Sequence, residues 1–258
     1  MKRYLTILPV AIVLLIGSLF LLHGPILQFA HYHEFADHSV FFGVPHAADV
    51  FSNIGFFFVA IWGLWTLWPM RNHPALISGW PGYRLFLFGL LFTSIGSSFY
   101  HLDPDNARLI SDRLPIAIAC AGLLAGVRSE TKLNINGSLN ATSLFLFAIF
   151  SVIWWFVTDR NGVGDLRPYL FLQGLPIILV PLWQKIYNAP SKDRIAFAVA
   201  LLIYVLAKIA EVNDYQILSV TTVISGHTLK HLLAAGAAAL IVGRLIARVQ
   251  FNCNKEPR

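Results

Sequence analysis

A succession of apolar stretches, separated by short polar segments, limits this chain more than any other feature. The runs fall at about residues 5–22, 50–69, 85–101, 113–127, 142–158, 167–184, 195–211 and 224–247. A hydrocarbon core of ~30 Å needs roughly 20 helical residues to cross it, and inside lipid the backbone must satisfy its own hydrogen bonds. Eight such runs predict eight helical spans in an all-α integral membrane protein. Composition agrees, because 57% of the 258 residues are apolar and 12% are charged, far from the averages of soluble domains.

The first run follows Met1, Lys2 and Arg3, a basic start of the kind that opens a secretory signal. Its apolar core of about 18 residues is longer than an ordinary signal core, and no small-x-small cleavage site precedes "HGPILQFAHYH". An uncleaved transmembrane anchor over residues 1–30 is therefore expected. Seven helices then make one domain over 31–250, without internal repeats, and 251–258 form a short cytoplasmic tail.

Lys and Arg accumulate on cytoplasmic loops. With the N-terminus inside, the inner segments hold Lys2, Arg3, Arg71, Arg84, Arg128, Lys132, Lys185, Lys192, Arg194, Arg244, Arg248, Lys255 and Arg258. The outer segments hold Arg108, Arg113, Arg160 and Arg167, while Lys208 and Lys230 fall within spans. Both termini are thus predicted to be cytoplasmic. This rule and attraction to anionic lipid account for the net charge of +6 without a nucleic-acid partner. Short loops and tails suggest a bacterial inner-membrane protein, and no obligate protein partner is implied.

Two cysteines, Cys120 inside a span and Cys253 in the tail, make no disulfide framework. The sequons at Asn136 and Asn140 fall in a loop placed inside, where no glycan would be added.

The polar residues of the spans carry the functional signal. The third span runs outward through "SSFYHLDPD" to His101, the fourth opens with "SDRLPIAIA" and Asp112, and the eighth opens with "GHTLKH" and its His227 and His231. Three histidines and a carboxylate then converge at the outer edge. Residues four apart share a helical face, so His227 pairs with His231 and Ser97 with His101. Ionisable groups in membrane helices face the bundle interior, and neutral imidazole is the commonest zinc ligand. A metal site is one reading of this set. The other is a group of packing residues, with Asp112 as a helix N-terminal cap and Ser97 bonded to its own backbone.

"SSFYH", an aspartate eleven residues after its histidine in "SDRLP", and "GHTLKH" on the last span together resemble the alkaline ceramidase family of seven-helix membrane hydrolases. The wider superfamily includes the progestin and adiponectin receptors and shares a Ser-x-x-x-His, a downstream Asp and a final His-x-x-x-His. The resemblance covers the chain from about residue 31 and leaves the N-terminal anchor outside. It implies that His101, His227 and His231 bind zinc, that Asp112 orients or deprotonates the attacking water, and that Ser97 assists at the metal or the developing oxyanion. The implied reaction is hydrolysis of the N-acyl bond of ceramide or a related membrane lipid, giving a fatty acid and a sphingoid base or other amine. The alternative function is a receptor-like or transport protein on the same scaffold, without appreciable hydrolysis.

In eukaryotic members of that family, the region matching "HYHEFADHSVFFGVPHAADVFSN" carries a calcium site. Here Asp37, with Glu34, is the candidate calcium ligand, but His46 stands where a carboxylate is expected, and calcium prefers oxygen. A second metal site from His31, His33 and His38 is the weaker alternative to solvated loop histidines. Asp49, Ser52 and Asn53 are expected to hydrogen-bond to neighbouring helices. Lys208, Glu211 and Asp214, three apart in turn, predict an internal polar network on one face. Lys230, about 100° around the helix from His231, is expected to snorkel or pair elsewhere, the alternative being a hold on an acidic product or lipid phosphate. Trp154, Trp155, Trp183 and Tyr187 suit interfacial belts and packing.

Overall fold

The computed structural model describes residues 3–132 and 134–253, and the side chains of 5–132 and 134–250. Lys2, Lys255 and Arg258 of the predicted inner charges, the side chains of Arg3 and Cys253, and most of the predicted tail lie outside these described residues.

The described chain is almost entirely helical: α1 Leu8–His23, α2 Ala47–Ser52, α3 Ile54–Leu67, α4 Trp80–Leu102, α5 Asn106–Thr131, α6 Gly137–Arg160, α7 Arg167–Ile186, α8 Ser191–Val212, α9 Asp214–Thr221 and α10 Gly226–Cys253. A two-residue hairpin, β1 Val40–Phe41 with β2 Val44–Pro45, interrupts the loop before α2. Among the described residues, seven segments are long and apolar enough to cross a membrane: Ala47–Leu67, which joins α2 and α3, then α4 to α8, and Gly226–Gln250 of α10.

The predicted first span differs. α1 has 16 residues, a length of about 24 Å, which falls short of a ~30 Å core. A 3-10 turn over Arg3–Thr6 and Gly24, at φ 82°, bound the helix, so the apolar run is longer than the helix made from it. α1 is nevertheless tied to the bundle. Phe20 meets Phe171 of α7 edge-on at 6.1 Å, and Arg167 donates to the Phe20 carbonyl at 3.2 Å.

Elsewhere the helices outrun the apolar runs, because polar caps extend them. Asp105 accepts the Arg108 N–H and starts α5 seven residues before the apolar run. Asp112 and Arg113 therefore lie inside a helix: Asp112 is not an N-terminal cap, the role weighed for it as the alternative, and Arg113 is not in the outer segment assigned to it. Asn136 caps α6 in the same way, through Leu139 N–H. Asn140, the second sequon, is buried and donates to Ala125 O and Ser129 Oγ, so its amide is engaged inside the bundle.

α5 is the central helix, and α4 crosses it at very short range. Gly82 and Gly122 meet backbone of the facing helix, and a Cβ on Gly96 would overlap the Ser111 carbonyl. Small residues let backbones approach this closely where lipid provides no hydrophobic drive for association. α6 and α8 lie at the periphery. On α6, Leu146, Phe150, Ile153 and Val157 form an exposed apolar stripe, a face suited to hydrocarbon and unfavourable in water. The contact of Gly96 with Ser111 sets the register, placing the end of α4 beside the start of α5.

Candidate metal centre

Three histidines meet at the end of the bundle where α4 finishes and α10 begins. His101 stands in the last turn of α4, and His227 and His231 occupy the first turns of α10. All three are buried, and one ligand atom from each lies within 4.8 Å of the other two. His101 Nε2 and His227 Nε2 stand 3.2 Å apart across 126 residues of sequence.

That spacing has a chemical meaning. Two nitrogens of a tetrahedral zinc site, each ~2.0–2.1 Å from the ion, lie roughly 3.3–3.4 Å from each other. The set therefore fits a divalent ion with nitrogen ligands.

Hydrogen bonding also fixes the His231 tautomer. Ser52 Oγ lies 2.9 Å from the Asp49 carbonyl, an oxygen pair that needs the serine proton between them. Ser52 has then no proton left for His231 Nδ1, at 2.8 Å, so that nitrogen donates to Ser52. The lone pair consequently sits on His231 Nε2, which is buried and has no partner. Orienting bonds of this kind aim a ligating imidazole.

The start of α10 is held from several sides. Ser225 caps it by accepting the Thr228 N–H at 2.9 Å. Asp214 accepts His227 N–H at 2.7 Å and Ala36 N–H at 2.8 Å, and Thr228 donates to Asp49 Oδ1 at 2.5 Å. Carboxylates near a helix N-terminus also answer its dipole. Asp49 and Ser52 thus hydrogen-bond to a neighbouring helix as expected, Asp49 as a brace for the histidine turn and Ser52 as a direct partner of one histidine. Phe35 covers the group, with its ring 4.6 Å from that of His101 and 4.5 Å from that of His227.

Ser97 and Asp112 accompany the cluster. Ser97 lies one turn before His101 on α4, and Asp112 follows Ser111, the residue packed on Gly96. Both are buried, and neither Ser97 Oγ nor Asp112 Oδ1 has a hydrogen-bond partner. Ser97 is therefore not bonded to its own helix, the role weighed for it as an alternative.

Lys230 does pair elsewhere, with Glu211 of α8, and it also reaches His227. Its ammonium lies 2.9 Å from His227 Nε2 and 2.9 Å from Glu211 Oε1, with the side chain buried. The His227 contact was not foreseen; it follows from the spacing, since His227 lies three residues back on the same face. A metal would take the His227 lone pair and leave Lys230 on Glu211. Glu211 also binds Lys208, at 2.8 Å. Asp214 does not join this network as expected, since α8 ends at Val212 and Asp214 opens α9.

The other proposed ligands are dispersed. Asp37 accepts N–H from Ser39 and from Asp49, both at 2.9 Å, and so caps α2. Burial pushes its carboxyl up, but the Ser39 hydroxyl and the N–H groups of Asp49, Ser39 and Ala48 hold it below its ordinary value. Glu34 is exposed and bonded to His31. His33 bonds Tyr100 Oη and Asn106, while the His38 ring faces that of His46. Among the described residues, His101, His227 and His231 form the group suited to a metal ion.

No protein-family model, curated protein or solved structure matches this chain. Fold and site together define an all-α protein with seven helices able to cross a membrane and a buried three-histidine group able to hold a metal ion.

Proposed function

We propose that the protein is a zinc-dependent membrane amidase that hydrolyses the N-acyl bond of ceramide or a related N-acyl lipid. The reading rests on the three converging imidazoles with buried, unpartnered Ser97 and Asp112 oxygens at neighbouring levels, and on the resemblance of these motifs to those of alkaline ceramidases. Three imidazoles favour zinc over calcium or magnesium. Calcium at Asp37 is not part of the reading, because a cation there would compete with two N–H donors for the same carboxylate.

When bound, zinc would supply a Lewis acid that makes water nucleophilic near neutral pH and polarises an amide carbonyl. Asp112 takes the proton of the attacking water and delivers it to the leaving nitrogen as the C–N bond breaks. Ser97 donates a hydrogen bond to the developing oxyanion. Phe35 excludes bulk water from the histidine rings. The positive-inside charge pattern supports a site on the outer, periplasmic side of an inner membrane, where an N-acyl lipid would present its amide near the head group.

The chain of Lys208, Glu211 and the buried Lys230 favours the second reading, a receptor or transporter, since such chains also serve ion paths. Purified protein assayed with fluorescent N-acyl lipids separates the two: an amidase releases labelled product that a chelator abolishes, while a receptor binds metal and releases none. His231→Ala should lose both bound metal and hydrolysis. Full hydrolysis by metal-free His231→Ala protein would overturn the mechanism.

A further inference from the structure

Beside Asp112, α5 carries a second buried ionisable group that amide hydrolysis does not use. Arg113 is 2% exposed. Its guanidinium carbon lies 4.0 Å from the ring centre of Trp155 on α6, 4.9 Å from that of Tyr32 and 5.5 Å from that of Tyr169 on α7. Helix and loop thus enclose the cation in three aromatic rings.

Other arginines that point into the bundle have acceptors: Arg128 donates to Asn140 Oδ1, and three more have carboxylates. Arg167 pairs with Asp165, Arg244 with Asp193 and Arg248 with Glu130. Arg113 pairs with no carboxylate among the described residues, Asp112 included. Its Nε and Nη1 are buried without a hydrogen-bond partner, and so is Nε1 of Trp155, the ring stacked against it. Two adjoining side chains therefore hold three buried donors and no acceptor.

Cation–π contacts offset only part of the cost of an unpaired buried charge. Aromatic rings cover the faces of a guanidinium but accept nothing from the N–H groups at its edge. The missing element is an acceptor that carries negative charge, the ligand for which Arg is best suited.

We propose that Arg113 and Trp155 Nε1 form a binding site for the oxyanion group, carboxylate or phosphate, of an amphiphile whose chain lies among the helices. The site needs no hydrolysis and no metal, so it stands or falls apart from the amidase reading.

The test is equilibrium binding to the full chain in phosphatidylcholine nanodiscs, using labelled dodecanoate and dodecyl phosphate as probes, with dodecanol as the uncharged control and inorganic phosphate as competitor. Saturable binding of an anionic probe and none of dodecanol is the expected result. Arg113→Met should weaken it roughly tenfold or more, with metal content unchanged. Trp155→Phe, which keeps a ring and removes the donor, should weaken it by about threefold and serves if Arg113→Met does not fold. Displacement by inorganic phosphate would assign the site to the free anion in place of a lipid and would overturn the amphiphile. Absence of saturable binding, or equal affinity in either folded variant, would overturn the site.

Discussion

Ser52 controls one histidine through a single proton. Its hydroxyl faces the Asp49 carbonyl and receives His231 Nδ1–H, leaving Nε2 free for a metal. Ser52→Ala should lower metal affinity by about 10–100-fold, and Ser52→Thr, which keeps the hydroxyl, should restore most of it; competition with a chromogenic chelator reads both. At this scale the sequence was informative for the ligands and poor for their partners. His227 and His231 announce themselves by four-residue spacing on an apolar helix, as Ser97 and His101 do. Ser52 could not be assigned to His231, because the two are 179 residues apart and meet only through packing. Lys230 was open to a better reading, since its three-residue distance from His227 is visible in "HTLK".

Between helices, the α4–α5 crossing holds the site in register. Gly96 lies against the Ser111 carbonyl, one residue from both Ser97 and Asp112. Gly96→Ala must part the two backbones, at a cost of about 1–3 kcal/mol, measured as a lower thermal midpoint in detergent. The same displacement should reduce hydrolysis more than metal binding, because Ser97 and Asp112 move relative to each other while His227 and His231 remain on α10. Helix existence was readable from apolar runs, but helix ends were not. Asp105 begins α5 with a side-chain cap, and that local bond puts two turns of helix ahead of the apolar run, so that Asp112 and Arg113 are buried within the helix and not at its start. At α1 the eighth span is not confirmed, for a related reason: the α-helix is shorter than its apolar run, and apolar length alone does not say where a helix starts and stops.

Across the molecule, the segment before α2 acts as a cover fastened at widely separated points: Ile26 to Asp165, His33 to Tyr100 and Ala36 to Asp214. Asp165 is itself held by Arg167 and Trp154. Burial pushes its carboxyl up, but Arg167, Trp154 and the N–H groups of Arg167 and Ile26 outweigh that and bring it down to about 2 from 3.8. A carboxyl depressed on folding adds stability above its unfolded value and loses it as pH falls towards the folded one. Acid should therefore remove about 2 kcal/mol between pH ~4 and ~2. Asp165→Asn should be less stable than the parent at neutral pH, and the difference should shrink over that window in unfolding experiments; an unchanged gap at low pH would refute the anchor. Apolar periodicity and length were enough to establish an all-α bundle suited to a membrane, because lipid leaves the backbone few alternatives. The three-histidine geometry, the tautomer of His231, the Lys230 contact and the unpaired Arg113 depend on distances between residues far apart in the chain. Those distances exist only once α4, α5 and α10 have packed, and pairing across them follows shape and hydrogen-bond satisfaction, which no local pattern records.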